Sequence, residues 1–99
     1  MVLTTVANRR QADALARHLV RSRSAACVTI LPGAVSHYVW KGKSHRSAEC
    51  LLLVKTLASG LKRLKQEIQK THPYELPEVL TLNVSSANAA YLKWMGSCL

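Results

Sequence analysis

Apolar and polar positions along this 99-residue chain alternate between a period of two and a period near 3.6. Val2–Val6 is a short β-rich run, and Asn8 with Gln11 three residues later makes the pattern of a helix capping box. Ala12, Leu15, Ala16, Leu19 and Val20 then recur at helical spacing, while Arg10, Asp13, Arg17 and Arg21 occupy another face. The period returns to that of a strand in AACVTIL, breaks at Pro32 and Gly33, resumes in AVSHYVW and reverses around Lys41 and Gly42. This predicts one long bent strand over 25–40 that enters a hairpin. The return strand, ECLLLVK at 49–55, has an unbroken apolar run and is expected to be central and buried on both faces.

A second helical stripe follows in Leu57, Leu61, Leu64 and Ile68, with Lys62, Arg63, Lys65 and Lys70 outside it. The prolines of HPYELPE (residues 72–78) bias the residue before each of them away from the α region, so this helix must stop by His72. A fourth strand is predicted over 78–84. Ser86 is placed to cap a short terminal helix that carries Tyr91, Leu92, Trp94 and Met95 and stops at Gly96. The order β-α-β-β-α-β plus a terminal helix is the split-βαβ, ferredoxin-like pattern of the α+β class, with helices on one face of an antiparallel sheet. The other face would remain open yet carry apolar side chains from the central strand, so a second subunit is expected to cover it.

Length allows a single domain over 1–99 and leaves a modest core unless association buries more surface. Three cysteines, Cys27, Cys50 and Cys98, form no paired framework and no CxxC, which is reduced, intracellular usage. The opening MVLTTV lacks a basic-apolar leader and no apolar run approaches ~18 residues, so a cytoplasmic protein without a membrane span is expected. Fourteen Lys and Arg against five Asp and Glu give +9. That balance raises the alternative of a basic RNA- or DNA-binding module, since RRM domains share this strand order. An RRM, however, stacks bases on third-strand aromatics, and the third strand here is ECLLLVK in a chain without Phe. Weak, sequence-blind polyanion contact at Lys41, Lys43 and Arg46 of the hairpin is the expectation that remains.

Five ordered blocks resemble the CutA proteins, the divalent-cation tolerance family: AACVTILPG (25–33), SHYVWKGK (36–43), LLLVKT (51–56), HPYELPE (72–78) and YLKWM (91–95). The resemblance implies a ferredoxin-like subunit in a tight homotrimer similar to the PII signalling proteins, a link to copper tolerance, and no catalytic reaction. It also implies a copper site that some members build from a strand-one cysteine and adjacent histidines before Pro-Tyr. Here those positions hold Thr4, Thr71 and a single His72. The hairpin loop, usually acidic in relatives, reads Ser44, His45, Arg46, and LNVSSANAAYLKW lacks a Pro and a Gly that relatives often carry, which predicts a different path for the C-terminal turn.

Cys27, His72 and Glu78 are the Cys, His and acid of these blocks that are expected to converge in a trimer cleft, and thiolate with imidazole suits copper or another divalent cation. The plainer reading makes Cys27 a small strand residue, His72 a helix terminator and Glu78 a partner for a lysine. Tyr38, Trp40, Tyr74 and Trp94, with Lys55 to neutralise an anion, are candidates for an inter-subunit cleft or for interface packing. No nucleophile with a base and orienting acid, and no phosphate-cradling glycine loop, is present, so no enzyme is expected.

Overall fold

Alternation at Val2, Thr4 and Val6 and at Cys50, Leu52 and Val54 sets one face of a four-stranded antiparallel sheet against two helices. The computed structural model describes residues 1–99 and orders the strands β2-β3-β1-β4. The elements are β1 (Val2–Val6), α1 (Arg9–Arg21), β2 (Cys27–Trp40), β3 (Lys43–Lys55), a 3-10 turn at Ala58–Gly60, α2 (Leu61–Thr71), β4 (Leu80–Thr81) and α3 (Ala89–Cys98). This is the ferredoxin-like α+β arrangement that the sequence predicts, with β3 central.

The capping box forms at the start of α1: Gln11 N–H donates to Asn8 Oδ1 at 2.9 Å, and Gln11 Oε1 accepts from Ala7 N–H at 3.0 Å. Two otherwise orphaned donors are thereby satisfied. Leu15 and Leu19 of α1 and Leu64 and Ile68 of α2 pack on the buried sheet face in one apolar core. A fully buried leucine such as Leu52 contributes about 1.5–3 kcal/mol there. His18 Nε2 and Glu67 Oε1, 2.8 Å apart, tie α1 to α2, and Arg63 donates to the Ser22 carbonyl at 2.6 Å.

Three boundaries depart from the pattern. β3 begins at Lys43, because ladder pairing with β2 carries polar residues 43–49 into the strand regardless of propensity. β4 is two residues long where a strand over 78–84 was expected, although Leu82 N–H also donates to the Met1 carbonyl at 2.8 Å. Before Leu80 the same edge of β1, at Thr4 and Thr5, is taken by the His72 ring instead. α3 begins after Asn88 rather than at Ser86 and runs through Gly96 to Cys98.

Between Leu31 and Ala34 the β2–β3 register shifts by a bulge, with Gly33 at φ +83°. Beyond it β2 and β3 continue as a two-stranded ribbon that no other strand flanks, closed by Lys41 and Gly42, both at positive φ. These are the dihedrals of a type I′ hairpin. The ribbon helps to stretch the subunit to 45 × 25 × 23 Å.

Candidate functional site

Strand parity sorts the side chains. Because opposed residues share a face, Leu3, Thr5, Leu31, Glu49, Leu51, Leu53 and Lys55 lie on the face away from the helices, and the ribbon adds Ser36, Tyr38 and Trp40 to it. Tyr38 and Trp40 are 45% and 40% exposed, and Val39, on the opposite side of the ribbon, is 70% exposed. The open face is thus apolar at its centre and aromatic along its extension. Its central strands present Leu3, Leu51 and Leu53, with no ring on which a base could stack, which removes the structural basis of the RRM-like alternative.

HPYELPE follows the edge of β1 that β4 leaves free. His72 Nε2 lies 2.9 Å from the Thr5 carbonyl oxygen and 3.0 Å from Thr4 Oγ1, and His72 Nδ1 accepts from Tyr74 N–H at 3.0 Å. A carbonyl can only accept, so Nε2 carries the proton and the ring is the neutral Nε2–H tautomer. Burial pushes the His72 pKa below the ordinary histidine value and outweighs the Thr5 hydrogen bond and the Glu49 charge, both of which favour protonation.

The loop then carries Tyr74 to the open face, where its hydroxyl donates to Glu49 Oε2 at 2.6 Å. Burial pushes the Glu49 carboxyl upward, but hydrogen bonds from Ser36, Tyr74 and Thr5, aided by His72, prevail and hold it below the usual range. Burial and the adjoining carboxylate raise the Tyr74 phenol above its ordinary value, so it serves as a fixed donor. Five residues from four separate chain segments therefore close one polar cluster: Thr5, Ser36, Glu49, His72 and Tyr74.

The proposed metal set does not converge within one subunit. Cys27 pairs with Lys55, whereas His72 sits at Thr5, which pairs with Leu51. Four residues along β3 separate the two points by ~13 Å, before the spacing across strands is added. Glu78 is exposed just before β4, and no three His, Cys, Asp or Glu residues gather in a group able to hold a metal ion. Both ring nitrogens of His72 are already engaged, and Cys27 Sγ faces Lys55 Nζ at 3.9 Å.

The cleft set divides as well. Tyr38, Trp40 and Tyr74 belong to the ribbon side of the open face; Lys55 lies six residues along β3 from Glu49, ~20 Å away, with Nζ on Thr29 Oγ1 at 3.1 Å. Trp94 is half-exposed on α3 beside Tyr91, and a cavity of about 600 Å³ opens between α3 and the β4 edge, bordered by Met1, Leu57, Leu82, Tyr91 and Met95. Sequence reading missed Glu49, Thr5 and Ser36. The available signal was a carboxylate in phase with Leu51 and Leu53 at the start of the apolar run of β3.

A family model described as CutA1 divalent ion tolerance protein matches residues 1–98. The chain is 41% identical over 95 residues to the divalent-cation tolerance protein CutA of Thermus thermophilus, covering 96% of this chain and 92% of that relative. It is also 41% identical over 92 residues to a CutA homolog of Xenopus laevis, where it covers 93% of this chain and 61% of the longer relative. Among solved structures, CutA of Xylella fastidiosa superposes with a TM-score of 0.94 at 39% identity, over 98% of this chain and 93% of that one.

Proposed function

Because the chain belongs to the CutA family of divalent-ion tolerance proteins, we propose that it serves divalent-ion tolerance, copper tolerance in particular, as a non-enzymatic, PII-like homotrimer. The observation that carries the assembly is the open sheet face. Leu3, Leu31, Leu51 and Leu53 form an apolar surface, and the ribbon beyond it is a two-stranded element too thin to be stable without a partner. A neighbouring subunit meets both needs, with Tyr38 and Trp40 packing across the interface. Three free cysteines fit a reducing compartment such as the cytoplasm.

Ion binding in this reading is weak and belongs to clefts between subunits. A tetrahedral copper or zinc ion needs four ligands, and one subunit offers no such group. Thr4 Oγ1 stands beside His72 where a thiol would create a soft-metal pair. Calorimetric titration with Cu(I) and Zn(II) is expected to show binding weaker than micromolar, which Thr4→Cys tightens at least tenfold. Tight stoichiometric binding that survives both Cys27→Ser and His72→Ala would contradict this assignment.

A further inference from the structure

The net charge is not spread over the molecule. α1 carries Arg9, Arg10, Arg17 and Arg21 on its exposed side, with Arg23 just past its end. α2 adds Lys62, Arg63, Lys65 and Lys70. Against these nine cations the helix layer holds two acids, Asp13 and Glu67, so it accounts for seven of the nine net positive charges. The sheet, ribbon and C-terminal segment share the other two.

The cations on this layer are placed at the expense of helix stability. Neither helix has an acid in its first turn; Arg9 and Arg10 begin α1 and Lys62 and Arg63 begin α2, at the positive end of each helix dipole. Compensation inside the chain is scarce. The two ion pairs of the whole chain both end on Glu67, and Lys70 is the one lysine or arginine of this layer in either. α1 and α2 run antiparallel, as the His18–Glu67 and Ser22–Arg63 contacts fix, so Arg21, Arg23 and Arg63 gather at one end. Beside α2 runs an open groove bordered by Lys62, Lys65, Gln66, Gln69 and Lys70. Val20 is the large apolar side chain exposed on α1, and no exposed aromatic accompanies it on either helix. An amphipathic anchor in a membrane surface requires such groups.

From this distribution we infer that the outer helix layer is a docking surface for the phosphate backbone of duplex nucleic acid, engaged without regard to sequence. Arginine forks match phosphate oxygens, and the lysine and glutamine groove adds donors along a linear track. The layer lies on the opposite side of the sheet from the face proposed to be covered in the trimer, so assembly leaves it free and repeats it on each subunit. Its position differs from the hairpin site that the sequence favours.

The test is fluorescence anisotropy with a labelled mixed-sequence duplex and the full-length protein between 50 and 200 mM salt. About five neutralised phosphates give a slope of log K on log salt near −4.5 and an affinity loss of about 500-fold over that range. Lys62→Gln/Lys65→Gln/Lys70→Gln and Arg17→Gln/Arg21→Gln/Arg23→Gln should each weaken binding at least tenfold at 100 mM salt and flatten the slope, with a melting temperature no lower than the parent's. Lys41→Gln/Lys43→Gln/Arg46→Gln should bind as the parent does. The inference is overturned if the parent fails to bind at 50 mM salt, if the hairpin variant alone loses binding, or if vesicles rich in phosphatidylserine strip the protein from equimolar duplex phosphate.

Discussion

His72 occupies a position where a proton is unwelcome. Its Nδ1 accepts from Tyr74 N–H and its Nε2–H is spent on Thr5 and Thr4, so adding a proton at Nδ1 would set two donors against each other. Burial lowers its pKa from 6.5, which means that the unfolded chain binds the proton more readily than the folded one. The associated stability is present above about pH 6.5 and is lost as pH falls through the lowered folded value. Glu49, held below 4.5, adds a second loss at lower pH of the same sign. Melting curves from pH 8 to pH 4 should therefore show stability falling below about pH 6.5, with the first part of the fall absent in His72→Gln; a parent curve flat from pH 7 to 5 would contradict the assigned tautomer. Tyr74→Phe removes the 2.6 Å donor to Glu49 and should cost about 1 kcal/mol in urea denaturation, below the roughly 1.5–3 kcal/mol of a hydrogen bond to a charged group because the site is partly open to solvent. An unchanged midpoint would mean that the cluster does not hold the loop.

Among the elements, the ribbon shows both how much the chain reveals in advance and where local reading ends. Its reversal at Lys41 and Gly42 is legible, since glycine marks a turn, and the type I′ geometry puts Lys41 at φ +51°, a conformation that costs an ordinary L residue roughly 1–2 kcal/mol. Lys41→Asn, with the residue that tolerates this region best, should stabilise the hairpin by up to about 1 kcal/mol, measurable as a raised melting temperature; a loss would show that Lys41 gains more from its position 5.8 Å over the Trp40 ring. The capping of α1 by Asn8 and Gln11, the stop of α2 before Pro73 and the central place of β3 were legible for a similar reason: each rests on neighbours in sequence. The strand expected over 78–84 is longer than β4 because alternation at Leu80, Leu82 and Val84 reads as a strand whether or not a neighbouring edge is free to pair with it. The polar cluster escaped because Glu49 meets Ser36, Thr5 and Tyr74 only once four segments have folded together. Likewise Cys27, His72 and Glu78 share blocks of sequence but not a place in the subunit.

At the scale of the whole molecule, the two faces of the subunit have opposite characters. The helix layer is strongly cationic and self-repelling, while the sheet face is apolar and continues into a ribbon with exposed Val39, Tyr38 and Trp40. A monomer would leave that apolar area in water, which costs roughly 25 cal/mol per Å² of what a partner could bury. Closed rotational assembly, as proposed, would cover the face on every copy and leave the charged layers outside. Such a molecule should gain most of its stability on association, so its melting temperature should rise with concentration. Sedimentation equilibrium of the purified chain at micromolar concentration tests this account most directly: a single species at three times the 10.9 kDa subunit mass is predicted, and a monomer at that concentration would contradict it.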